Sequence, residues 1–323
     1  MIRPSMIMVL LLFPLSLGCS EEGSSSGESE GGDALEAPDS TDATDGDADV
    51  PGVDADDPEG GGDDIAQDAT QQEEDDIAQE DPFASSGCGK DSAGLATDLL
   101  VDDKERTFVL SLPNDYDIAH PHPLVFAWHG LGGSGPLAKT YFGLQFVAGN
   151  EAIIVYPSAL PQANFGGQPG WDLFPTGYDF AFFDAMLAHL LDGLCVDTSR
   201  VFATGHSFGG YMSNALGCHR ASVLSAIAPV AGGPPSFGTC KGPVAAWLTH
   251  GSADDVVPLS EGTGARDTWL NMNGCSETAA ATEPSPCVAY EGCERDVHWC
   301  EHTGGHEWPS FAPGAIWSFF ASQ

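Results

Sequence analysis

The chain has 323 residues, with 48 acidic and 10 basic side chains and a formal net charge of −38. Charge of that sign repels nucleic acid and anionic lipid, so neither is expected as a partner. Half of the acids, 24, lie between Ser20 and Pro82, where there is no Lys or Arg; residues 88–323 carry the other 24 against nine bases, near −15, in a length that suits one α/β domain.

Taken in order, Arg3 precedes an apolar run from Met6 to Leu17 that ends in Gly18-Cys19. Twelve residues are too few for a permanent bilayer span, so residues 1–19 read as a signal peptide. Leu15-Ser16-Leu17-Gly18-Cys19 is similar to a bacterial lipobox, although Ser16 stands where Leu is usual. Cys19 is then the expected lipidation site, and Ser20 after it favours the outer membrane. The chain is expected outside the cytoplasm, touching membrane only through that anchor. Residues 20–87 are expected to be a disordered acidic linker, since Asp, Glu, Gly, Ser and Ala cannot bury enough apolar surface to offset ordering entropy. Its repeat, DDIAQ at 63–67 and 75–79, reads as low-complexity drift, and no loop of the acidic run has EF-hand ligand spacing.

The remainder, 88–323, reads as alternating strands and helices. Arg106 to Leu112 alternates as a strand and stops at Pro113-Asn114. Pro123 to Trp128 and Glu151 to Tyr156 are continuous apolar runs, as in strands covered on both faces. Tyr178 to Leu194 places Phe180, Phe183, Leu187, Leu190 and Leu194 at helical spacing. A strand over 201–205, a helix through Tyr211 to Leu216, strands at Ala226–Val230 and Val244–Thr249 and a last helix near Ala315–Ala321 follow. This alternation predicts a doubly wound, mostly parallel sheet, with ligands at the C-terminal strand edges.

Beyond Cys19 there are eight cysteines, an even number that implies disulfides in an exported chain. Within the cluster at 275–300 the preferred pair is Cys275 with Cys293. The rival is a zinc site built from His298, Cys300, His302 and His306, without the accompanying C-x-x-C that such sites favour.

Gly205-His206-Ser207-Phe208-Gly209 is a G-x-S-x-G pentapeptide between a strand-like and a helix-like run. Such a serine is pushed out at a sharp strand-to-helix turn, where a base and a substrate both reach it. A serine needs a base, and the base an orienting carboxylate, in the chain order Ser, Asp or Glu, His. Asp254 follows the strand at 244–249 and is the preferred carboxylate, with Asp255 the alternative. Among His298, His302 and His306, only His306 sits in a Gly-rich turn just before the last helix, and it is the expected base; His298 reads as structural, and His206 is expected to pack beneath the elbow. Phe208 N–H is the first oxyanion donor. The loop His129-Gly130-Leu131-Gly132-Gly133 after the strand at 123–128 makes Leu131 N–H the second; it has no G-K-[ST] phosphate signature. Trp171 and Trp308, beside Gly-rich loops, are candidate stacking platforms for substrate.

Several runs then fit together: Cys88-Gly89-Lys90, LPNDY at 112–116, PLVFAWHGLGGS at 123–134, Gly170-Trp171-Asp172, CVDTSRVFATGHSFGGYMS at 195–213, HGSADDVVP at 250–258 and GGHEWP at 304–309. They resemble the secreted feruloyl esterases and polyhydroxybutyrate depolymerase-like branch of the α/β-hydrolases, related to carbohydrate esterase family 1. The resemblance spans 88–323. It implies the α/β-hydrolase fold, Ser207 as nucleophile with Asp254 and His306, an oxyanion hole at Leu131 and Phe208, and no metal or organic cofactor. It implies ester substrates, either polysaccharide-linked phenolic acids or polyesters; a surface-anchored binding protein on an inactive hydrolase fold is the competing class. Two departures stand out. Gly170-Trp171 lacks a cysteine often found before that Trp, and Phe208 replaces a common Asn without removing the backbone donor.

Overall fold

The computed structural model describes residues 81–323. The expected signal peptide, Cys19 and residues 20–80 of the expected linker lie outside the described residues. Ordered packing begins earlier than Cys88. Phe83 O accepts the Thr198 N–H at 2.8 Å, and the Ser85 hydroxyl accepts the Val196 N–H at 2.9 Å while donating to Leu194 O at 2.6 Å.

The described chain runs β1 (Asp98–Val101), β2 (Lys104–Ser111), β3 (His122–Trp128), α1 (Gly135–Phe142), α2 (Leu144–Val147) and β4 (Ile153–Pro157). A small hairpin, β5 (Pro161–Gln162) and β6 (Gln168–Pro169), carries a 3-10 turn at Ala163–Phe165. Then come α3 (Tyr178–Gly193), β7 (Val196–His206), α4 (Phe208–His219), β8 (Ala226–Val230), β9 (Ala245–Gly251) and α5 (Leu259–Met272). The chain ends with β10 (Ala279–Ala281), β11 (Cys287–Tyr290), β12 (Val297–His302) and α6 (Ala312–Ala321).

Ten strands form one sheet in the order β1-β2-β4-β3-β7-β8-β9-β12-β11-β10. The six from β4 to β12 pair in parallel, while β1, β2, β10 and β11 join antiparallel at the margins. Period-2 geometry divides the core. On β3, Leu124, Phe126 and Trp128 pack toward Phe180, Phe183 and Met186 of α3, while Val125 and Ala127 belong with Phe142 of α1 and Ile316 and Phe320 of α6. With both faces covered, β3, β4, β8 and β9 are buried at every position, which is why they read as unbroken apolar runs.

Four disulfides staple the described residues: Cys88–Cys195, Cys218–Cys240, Cys275–Cys293 and Cys287–Cys300. The expected Cys275–Cys293 pair is present, and the Cys287–Cys300 bridge joins residues directly opposite on β11 and β12. Cys300 is therefore committed to sulfur, which removes it from the zinc reading. Among the described residues no helix is long and apolar enough to cross a membrane.

Candidate active site

The site is assembled from four connections at the C-terminal edge of the parallel strands. Ser207 follows β7 and caps α4 with φ 58° and ψ −120°, a conformation a non-glycine residue holds only when its surroundings enforce it. They do: its N–H donates to Val230 O at 2.9 Å, and its carbonyl accepts from Gly210 and Tyr211 at 2.9 and 3.1 Å. Any side chain on Gly209 would run into the carbonyl of Trp128, so helix and strand can cross this closely only at glycine.

Asp254 lies past the end of β9 and His306 in the loop between β12 and α6. His306 Nδ1 and Asp254 Oδ2 are 2.8 Å apart. The other carboxylate oxygen accepts the N–H groups of Val256 and Val257 at 2.9 and 2.8 Å. Burial alone raises the Asp254 pKa; the His306 hydrogen bond and the Val257 and Val256 donors outweigh it and leave the carboxyl below its ordinary range. An ionised Asp254 fixes the His306 proton on Nδ1 and leaves Nε2 as the basic nitrogen. Asp255, the alternative carboxylate, is exposed.

Across from the elbow, Gly130 abuts the serine: a Cβ built on it would lie 3.3 Å from Ser207 Cβ and 3.8 Å from Oγ. The next N–H, on Leu131, and that of Phe208 at the first turn of α4 find no acceptor among the described residues. The positive end of the α4 dipole adds to the positive potential there. The loop is clamped from behind. The His129 ring donates through Nδ1 to Gly130 O at 2.7 Å and accepts the Ala159 N–H on Nε2 at 3.0 Å. Burial holds its pKa down at about 4, so it is a neutral strut.

The chain as a whole is similar to known proteins. Feruloyl esterase D of Neurospora crassa is 35% identical over 273 residues, covering 73% of this chain and 90% of that one. Feruloyl esterase C of Emericella nidulans is 35% identical over 256 residues with the same coverage. The chain belongs to the feruloyl esterase family. It is a carboxylic ester hydrolase of the α/β-hydrolase fold. Among solved structures, the acetyl xylan esterase from Aspergillus awamori superposes with a TM-score of 0.56 at 17% identity, over 68% of this chain and 94% of that one. No protein-family model matches the sequence.

Within this esterase two sequence expectations need correction. Trp171 and Trp308 do not offer ring faces to substrate. Trp171 is 2% exposed, packs edge-on against Trp128 and donates its Nε1–H to His129 O at 2.7 Å. It belongs to the clamp behind the His129–Gly133 loop. Trp308 is buried against Phe142 with ring centroids 4.3 Å apart, and its backbone N–H donates to the Tyr141 hydroxyl at 2.9 Å. Both are consumed by packing because the loops on either side need an anchor.

Several neighbours complete the surroundings, and of these Tyr141, Phe165 and His250 carry no sequence signal. Tyr141, half exposed on α1, holds the His306–Trp308 loop through that bond, and its ring lies 5.6 Å from that of His206. His206 sits between Tyr141 and His306, 4.8 Å from the latter; burial first, and then His306, depress its pKa to about 3. His250 is buried at the end of β9, its Nε2 2.8 Å from Val257 O and 3.4 Å from Asp254 Oδ2. Leu131, Phe165 and Phe208 converge over Gly170, the two rings edge-on at 5.2 Å, making an apolar wall beside the serine. His298 packs against Phe319 at 4.9 Å, away from the site.

Proposed function

We propose that this protein is an exported serine esterase of the feruloyl type, releasing phenolic acids from plant polysaccharide esters through an acyl-enzyme on Ser207. The observation that carries it is the buried Asp254 carboxylate 2.8 Å from His306 Nδ1, in a fold that puts Ser207 on a strained elbow facing Gly130. His306 Nε2 takes the serine proton as Oγ attacks the ester carbonyl. The Leu131 and Phe208 N–H groups receive the developing oxyanion, each worth roughly a hundred- to a thousandfold in rate. His306 then protonates the departing sugar hydroxyl, and water reverses the sequence to free the acid. The wall of Leu131, Phe165 and Phe208 suits the aromatic ring of the acyl group. Four disulfides and the apolar leader support export, with Cys19 as the lipid attachment.

The test is a substrate panel on wild type and Ser207→Ala: methyl ferulate, short p-nitrophenyl esters and polyhydroxybutyrate film, with fluorophosphonate labelling. Ferulate release and labelling, both lost in the variant, are expected. Clearing of the polyester without ferulate release would shift the assignment to a depolymerase. Failure of any ester to turn over, with no labelling of Ser207, would leave an inactive binding protein.

A further inference from the structure

A concave site separate from the Ser207 corner lies on the same edge of the sheet. A cavity of about 460 Å³ opens between the start of β2, the β5–β6 hairpin and the N-terminus of α3. That volume is within the ordinary range of small-ligand sites. It stands above β2 and β4, whereas Ser207 follows β7, two strands beyond β4. At about 4.8 Å per strand step, the separation is on the order of 10–15 Å, the reach of a short oligosaccharide.

Six residues give the cavity its chemistry: Lys104, Gln162, Asn164, Asp172, Phe174 and Tyr178. One ammonium and one carboxylate balance, which suits an uncharged ligand rich in hydroxyl groups. The Lys104 ammonium stands 5.6 Å over the Tyr178 ring and makes no ion pair among the described residues. Neither the Asn164 amide nor the Tyr178 hydroxyl has a hydrogen-bond partner there. Burial first, and then Asp179 and Asp172, raise the Tyr178 pKa to about 12, so that hydroxyl remains a donor. Phe174 rests one face on Phe237, at 3.9 Å and 26°, and is 54% exposed.

The floor is rigid. Arg106 and Asp179 form an ion pair in which both side chains are almost fully buried. Asp179 Oδ2 accepts the Asp172 N–H at 2.6 Å, and Arg106 reaches Tyr178 O and Ser158 O at 3.4 Å each. The pair thus fixes the backbone under two of the lining residues. The hairpin separates two environments: Phe165 joins the apolar wall by the serine, and neighbouring Asn164 lines the polar cavity.

We propose that this cavity is a carbohydrate subsite, holding a neutral sugar unit of the polysaccharide whose ester is cut at Ser207. The sugar stacks its C–H face on Phe174 and shares its hydroxyls among Lys104, Asn164, Asp172 and Tyr178. The proposal rests on the polysaccharide-ester reading above, and two measurements separate the two. In the first, the full mature chain is titrated calorimetrically with xylotetraose, which has no ester. Binding is expected, weakened about five- to tenfold by Asn164→Ala or Phe174→Ala, the loss of one hydrogen bond or one stacking face, with the melting temperature held. In the second, the ratio of kcat/KM for a feruloylated arabinoxylo-oligosaccharide over methyl ferulate is expected to fall by a similar factor. Absence of xylotetraose binding, or binding indifferent to both substitutions, overturns the subsite even if ferulate is released. Equal losses on both esters would place the aryl group in the cavity and also overturn it. Binding of xylotetraose without release of ferulate would instead sink the substrate reading and keep the sugar site.

Discussion

Replacing Asp254 by Asn tests the orientation of the base most sharply. In the native site one carboxylate oxygen accepts two backbone N–H groups, from Val256 and Val257, and the other accepts from His306 Nδ1. An asparagine of the same shape can satisfy the two N–H donors only with its carbonyl oxygen, so its NH2 group must face His306. Two donors cannot share that contact. The imidazole must therefore give up the Nδ1 proton and carry it on Nε2, where it can no longer accept from Ser207. The expected loss is about 10³–10⁴ in kcat, a barrier increase of roughly 4–5.5 kcal/mol, with KM little changed. Because the backbone contacts survive, the melting temperature should fall by a few degrees at most. The assay is steady-state hydrolysis of methyl ferulate by Asp254→Asn, with Asp255→Asn as the control that retains activity. An Asp254→Asn enzyme within tenfold of wild type, or an Asp255→Asn enzyme equally impaired, would refute the tautomer argument.

Three further outcomes are expected. Trp171→Phe removes the bond to His129 O while keeping most of the ring, so kcat should fall about ten- to a hundredfold as the Leu131 donor loosens, and stability by about 1–2 kcal/mol; kinetics and urea melts check both. The Cys88–Cys195 bridge closes a separation of 107 residues, and the Cys88→Ser/Cys195→Ser double variant should lose about 4–5 kcal/mol on chain-entropy grounds, read by chemical denaturation under non-reducing conditions. His206 and His129 have folded pKa values of about 3 and about 4, below the unfolded value near 6.5. The unfolded chain thus binds protons that the native chain does not. The associated stability is complete above pH 6.5 and declines as pH falls toward 4, by up to about 2.7 kcal/mol per pH unit for the two together. Denaturation midpoints at pH 7.5, 6 and 5 should show that decline, and His206→Gln should flatten it.

Much of this molecule is written locally. The apolar runs at 123–128, 226–230 and 244–249 announce buried parallel strands, because strands covered on both faces have no polar side to show. The elbow is legible because only glycines at 205 and 209 permit its crossing, and the chain order from Ser207 through Asp254 to His306 follows from the topology that carries them. Helix α5 has little signature in the sequence because its amphipathic pattern is weak: Gly262 and Gly264 interrupt it, and few of its side chains are buried. The roles of Trp171, Trp308 and Tyr141 were beyond reach of the sequence, since an aromatic residue beside a Gly-rich loop looks the same whether its ring meets substrate or props the loop. That choice is made by partners distant in the chain, such as His129 for Trp171 and Phe142 for Trp308. The same holds for the cavity at Lys104, whose lining comes from β2, a hairpin and the start of α3. Sequence pattern records how each segment meets its own immediate neighbours; which side chains then share a corner depends on folding that brings remote segments together.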